Sequence, residues 1–164
     1  MHWEFIHHLG QIYDLLDDLE VQKMERDYPI LWERIHATSC AQIGRLLAEK
    51  RGVDKEMAAL ACALHDMGRW ISGRQADHAP KGENLAREFL HRADISEAQR
   101  ELIVQAIIHH SEKEKTGTAL QEIVKDADIL DCYWHGDIIT KPYHVARLQQ
   151  GLRDLGISTM KEER

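Results

Sequence analysis

The chain is predicted to fold as an all-α bundle. Apolar residues recur at helical spacing along nearly its whole length, and no segment of comparable length shows the two-residue alternation of a half-buried strand. Helix-starting signals also stand where that periodicity begins, among them two capping-box patterns. The sequence has three prolines in 164 residues and no Gly/Ser-rich linker, repeat or low-complexity tract at which to divide it, so one domain over residues 1–164 is expected. That length buries a sizeable core without disulfide or metal staples.

In order, the pattern predicts helices over about residues 2–19 and 21–26, then a long one from about Ile30 to Lys50. The long helix stops at "RGVD", where Gly52 ends it and Asp54 caps the next, which runs to Gly68. A polar loop, "ISGRQADHAP", follows, and Pro80 suits the first turn of a helix reaching about His91. Ser96 with Gln99 opens "SEAQRELIVQAIIHH", and Thr118 with Gln121 opens "TALQEIVKDADILDCYW". Pro142 opens a last helix whose Tyr143, Val145 and Leu148 can pack and cover a pocket, and "KEER" reads as a solvated tail.

Composition narrows the function. A formal net charge of −7 argues against a broad electrostatic grip on nucleic acid, leaves room for a local basic pocket, and fits small or locally held substrates. Cys40, Cys62 and Cys132 form no CxxC pair, as expected of reduced thiols in a cytoplasmic protein. No apolar run approaches the length of a membrane span, and "MHWEFIHHLG" is too polar for a signal peptide.

Helical phase then shows which polar residues point inward. On the long helix, Trp32, Ser39, Cys40, Ile43, Leu46 and Leu47 share a face with His36 at its centre. Leu102, Ile103 and Ala106 share one with His110, and His109 lies at its margin. Leu120, Val124, Ala127 and Leu130 share one with Asp128 and Asp131, while Asp126 points away. His65 and Asp66 end the apolar run "ALACALHDMGRW". One inward histidine is ordinarily a hydrogen-bonded core residue. Several imidazoles and carboxylates converging from different helices pair most economically on a shared cation, and their nitrogen and oxygen donors suit one or two ions of Mn, Fe, Co, Ni, Zn or Mg.

The order His36, His65-Asp66 in "LHDMGR", His78 in "DHAPKG", His109-His110 in "AIIHHSE" and Asp128 in "DADILD" resembles the HD-domain superfamily of metal-dependent phosphohydrolases over about residues 30–135. "HDMG" is similar to the superfamily's HD-Ile-Gly form, and "HAPKG" looks like the bacterial HD hydrolases of dinucleoside tetraphosphates. The resemblance implies a compact helical bundle with a central metal site. It implies that His36, His65, Asp66 and Asp128 hold a primary metal, that His78 with one or both of His109 and His110 hold a second metal or the substrate phosphate, and that Asp66 bridges. His65, Asp66 and Arg69 are the expected catalytic residues. Arg69 stands where many relatives carry Lys, and Arg69, Lys81 and Lys113 are candidates for phosphate binding.

The leading reading is hydrolysis of a phosphate ester or anhydride of a nucleotide or related small molecule by metal-activated water, with no membrane or stable nucleic-acid partner and the oligomeric state open. A diiron oxygenase, as in a minority of the superfamily, and a noncatalytic module keeping a metal for stability are the alternatives. His2, His7, His8, His91, His135 and His144 have no place in the motif order and are expected at the surface or in helix packing, His7-His8 being at most a weak second metal site.

Overall fold

Residues 3–158 are described by a computed structural model. Among them are nine helices and no strand: α1 (Trp3–Val21), α2 (Ile30–Arg51), α3 (Lys55–Leu64), α4 (Met67–Ser72), α5 (His78–Lys81), α6 (Glu83–His91), α7 (Glu97–His109), α8 (Ala119–Trp134) and α9 (Pro142–Asp154). His2 and the "KEER" tail lie outside the described residues.

The predicted punctuation is present in detail. Gly52 ends α2 in the left-handed region (φ 67°) and returns its N–H to the Ala48 carbonyl. The Asp54 side chain accepts from the amides of Glu56 and Met57 to start α3. Both capping boxes form, Ser96 with Gln99 and Thr118 with Gln121, and Pro142 is the first residue of α9.

Helices α2, α3 and α8 form the centre, with α7 against α3 and α8, and α9 along α8. Leu47, Cys62, Leu64, Ile103, Ile107, Ile123 and Leu130 are fully buried there. Two glycines let backbones approach where the polar residues must meet. A Cβ on Gly44 would stand 2.5 Å from Cys62 Sγ, so α2 and α3 cross closely between His36 and His65. A Cβ on Gly68 would stand 1.8 Å from the His78 carbonyl oxygen, so only glycine lets α5 lie against α4 and bring His78 to Asp66.

Several expectations are corrected. Residues 22–29 are turns and extended chain, not a helix over 21–26. The helix expected to reach Gly68 breaks at His65 and Asp66 and resumes as α4. Pro80 is the third residue of α5 rather than the start of one long helix, and α6 follows separately. Leu46 and Leu102 are 51% and 45% exposed, so the apolar faces of α2 and α7 are narrower than their sequences suggest.

Asp126 does not point to solvent. It is 4% exposed, and it accepts from Arg147 Nη1 at 2.9 Å and meets Arg51 Nη2 at 2.8 Å, joining α2, α8 and α9. Its neighbours Glu122 and Asp154 complete the charge balance on the same two arginines. Asp126→Asn is therefore expected to cost about 2 kcal/mol in chemical denaturation, the scale of a buried charge-assisted hydrogen bond. Metal content measured on the same variant should stay at the wild-type level.

Candidate metal centre

Five structural elements converge on one point. His36 comes from the second turn of α2, His65 and Asp66 from the break between α3 and α4, His78 from the start of α5, His110 from the end of α7 and Asp128 from α8. The break is what lets adjacent residues serve one site. Asp66 takes φ −94°, ψ 12°, which turns its carboxylate inward beside the His65 ring rather than about 100° around a helix axis.

Each imidazole is held from behind. His65, His78 and His110 donate Nδ1–H to the carbonyls of Cys62, Gln75 and Ile107 at 2.7, 2.7 and 2.6 Å. His36 donates Nδ1–H to Asp131 Oδ2 at 2.5 Å. A carbonyl oxygen only accepts, so Nδ1 carries the first proton and each ring, in its neutral form, presents an Nε2 lone pair to the centre.

Those lone pairs face one another and the aspartates. His36 and His65 bring their Nε2 atoms to 3.2 Å from each other and each to 3.2 Å from Asp66 Oδ2, while Asp128 Oδ1 stands 3.4 and 3.8 Å from the same nitrogens. On the other side of Asp66, Oδ1 lies 2.8 Å from His78 Nε2 and 3.5 Å from His110 Nε2, themselves 2.9 Å apart. Donors about 2.0–2.2 Å from one ion sit about 3.0–3.5 Å from each other, and the two groups, spaced at 2.8–3.8 Å, lie close to that. Asp66 Oδ2 is fully buried without a hydrogen bond. Facing lone pairs around an orphaned buried oxygen fit a divalent cation, and two groups sharing one carboxylate fit two.

Charge follows the same division. Burial works to lower the pKa of His65, but the Asp66 and Asp128 carboxylates outweigh it and lift it to about 8. His110 has less compensation, and burial with the nearby His65 and Lys113 charges pushes it down to about 4. Burial raises the Cys40 thiol to about 12, so although its Sγ lies 3.6 Å from His36 Nδ1 it stays a neutral packing group.

The centre forms the floor of a cavity of about 850 Å³. Tyr28, Trp32, Ile138, Lys141, Tyr143 and His144 line it. Trp32 stacks on the His36 ring at 5.3 Å and meets His135 edge-on. His135 and His144, expected at the surface or in helix packing, are exposed and half-buried respectively and also line the cavity, whereas His8 packs on Phe89 and His7 and His91 are exposed.

The remaining expected site residues divide. His109 is turned away, 41% exposed and paired with Glu112 at 3.1 Å, so of the histidine pair only His110 reaches the centre. Lys81 is exposed, bonded to the Ala76 carbonyl and apart from this cavity. Lys113 is buried with its ammonium on Asp128 Oδ2. Arg69 lines the cavity, its guanidinium donating to Glu33 and Gln75 with Nη2 2.5 Å from Asp66 Oδ2.

Sequence reading gave Glu33 and Asp131 no task. Both were traceable by spacing: Glu33 lies one turn before His36, and Asp131 one turn after Asp128 on a face already known to point inward. Asp131 acts on His36 as a supporting carboxylate that fixes ring and tautomer.

His110→Ala is expected to lower the stoichiometry of bound metal, read by elemental analysis, while His109→Ala leaves it unchanged. Acid should empty the centre by a route with a definite sign. In metal-free protein His65 takes a second proton, on Nε2, below about pH 8. Against the lowering effect of burial, His36 is likewise held well above its usual range by its hydrogen-bonded carboxylates, and an incoming cation must displace these protons. Apparent affinity in calorimetry should fall about tenfold per pH unit for each proton displaced, from pH 8 toward 5, with His110 contributing nothing over that window.

The family model for the HD domain matches residues 34–132, the span from the turn before His36 to the turn after Asp128. The chain is 35% identical to ribonuclease Y of Lawsonia intracellularis over 58% of its length and 17% of that protein's. It is 32% identical to YueE of Bacillus subtilis, named as a phosphohydrolase, over 58% of this chain and 64% of that one. A ribonuclease Y of Deinococcus radiodurans is 29% identical over 58% of this chain and 15% of its own length. The chain thus matches under a fifth of the length of its ribonuclease relatives. No solved structure matches it significantly. With the match spanning more than half of its residues, the chain belongs to the HD domain family.

Proposed function

We propose that this chain is a metal-dependent phosphohydrolase, a single domain that cleaves a phosphate ester or anhydride of a nucleotide or related small molecule. The observation that carries the reading is Asp66, whose two oxygens face two adjoining histidine pairs in the floor of an open cavity. His36, His65, Asp66 and Asp128 would hold a primary ion, and His78 and His110 with the other oxygen of Asp66 a second ion or the substrate phosphate. The neutral imidazole and carboxylate donors suit Fe, Mn, Co, Ni or Zn, with Mg as the harder choice. Such an ion, when bound, supplies Lewis acidity and a lowered pKa for its water.

The chain's own residues prepare the site in three ways. Carbonyls and Asp131 hold the four rings so that no reorganisation is required at the moment of reaction. Arg69 and Lys113 place fixed positive charge on Asp66 and Asp128, which biases the loaded cavity toward anions. Tyr28, Trp32, Tyr143 and His144 line the space beside the centre, where the non-reacting part of a small substrate would lie. No helix among the described residues is long and apolar enough to cross a membrane, and the three free cysteines suit a reducing compartment.

The test is phosphate release from a panel of nucleotides, small phosphate esters and a short RNA, the last because relatives are named ribonucleases, with each metal supplied in turn. Hydrolysis of a small ester is expected. Asp66→Ala should lose bound metal and activity together, by more than the roughly 10–100-fold that removal of a ligand's supporting partner costs. Full metal occupancy in that variant, or turnover that consumes oxygen in place of water, would overturn the reading.

A further inference from the structure

Glu33 is an acid 2% exposed, and it touches none of the histidines of the centre at hydrogen-bond distance. It takes the Arg69 fork: Nε donates to Oε1 and Nη2 to Oε2, both at 2.8 Å, and Trp70 Nε1–H donates to Oε2 at 3.2 Å. Gln75 Oε1 accepts from Nη1 at 2.7 Å, and the guanidinium lies 4.7 Å from the centre of the Tyr28 ring. Held on these sides, the same Nη2 lies 2.5 Å from Asp66 Oδ2, yet that oxygen receives no aligned hydrogen bond.

The arrangement is unusual for its chemistry. A buried arginine beside a buried aspartate ordinarily forms a two-pronged pair that takes both carboxylate oxygens. Such a pair at Asp66 would compete with any cation for the oxygen that faces His36 and His65. Here the fork is spent on Glu33, and Asp66 receives charge without alignment.

We propose that Glu33 is a positioning residue that keeps the Arg69 fork off Asp66, so that Asp66 Oδ2 retains a lone pair for a divalent cation. The inference rests on the reading of Asp66 as a metal ligand and assigns to Glu33 and Arg69 the setting of metal affinity. It also accounts for a costly feature: a fully buried carboxylate outside the ligand set is retained because its partner would otherwise turn on the ligand.

The experiment measures Co²⁺ binding by calorimetry and by the visible absorption of bound Co²⁺, on the full chain, in wild type, Glu33→Gln, Arg69→Met and the double variant. Melting of each metal-free protein is measured alongside. Glu33→Gln should weaken Co²⁺ binding about tenfold or more and shift the absorption band, since the freed fork turns to Asp66. Adding Arg69→Met should restore affinity to within about threefold of wild type, because the competitor is gone and a neutral pair replaces a buried ion pair. A purely structural role gives the opposite pattern, with the double variant binding as weakly as Glu33→Gln or worse, and that result overturns the proposal. Should Glu33→Gln fail to fold, Glu33→Asp, which keeps the charge and shortens the reach, is read by the same criterion. Wild type that binds no Co²⁺ would instead overturn the metal reading itself, a different failure from loss of rescue.

Discussion

The structure turns on one carboxylate. Asp66 stands at the meeting of two histidine pairs, fully buried, and most of what is unusual in the chain serves to put it there and make its charge tolerable. The α3 helix stops one residue short of it, and Gly68 admits the His78 backbone against α4. An isolated ionised carboxylate in such surroundings would cost several kcal/mol or take up a proton. His65, Arg69, His110 and His36 instead hold it well below the usual carboxylate range against the opposing effect of burial.

Beneath the centre lies a second polar layer with a different purpose. Arg51, Asp126, Arg147, Glu122 and Asp154 join α2, α8 and α9, and Arg147 also donates to the carbonyls of Lys113 and Lys115. These bonds fix the segment between α7 and α8, which carries Lys113 to Asp128. Ligand geometry thus depends on ion pairs a full helix away. Of the members of this layer only Asp126 is buried, the others standing half-buried around it. Such pairs add little net stability compared with apolar packing, and what they supply is position.

Much of this was legible in the sequence, because helices write their inward faces at a fixed period. His36, His110 and Asp131 were recovered as inward by phase, and both capping boxes by pattern. Phase failed where a charged residue is inward but paired: Asp126 lies at the edge of the apolar arc, and nothing local announces that Arg51 and Arg147 come to meet it. Arg69 shows the same limit in reverse. Its charge was visible, but the acid that takes its fork is 36 residues away. His65 and Asp66 were found by type, while the break that makes both usable was not, since no proline or glycine lies between Leu64 and Met67. There the backbone turns because tertiary contacts at Gly68 require it, and that information is not local.

The family match ends at residue 132, whereas one wall of the cavity, from His135 to His144, begins after it. The division has a physical meaning. The chemistry of the floor needs ligands in fixed relation, so it must sit on helices whose packing tolerates little change. The wall needs only to shape a space, and it stands on the connection between α8 and α9 and on the first turn of α9, where Ile138 is 87% exposed and Lys141 and Tyr143 face open solvent as well as the cavity. On the reading of the floor as a metal centre, the wall from 135 to 144 can change shape without moving the groups of the floor, because the two stand on different elements. Arg147 ties the two halves together by anchoring α9 to the segment that holds Lys113 on Asp128.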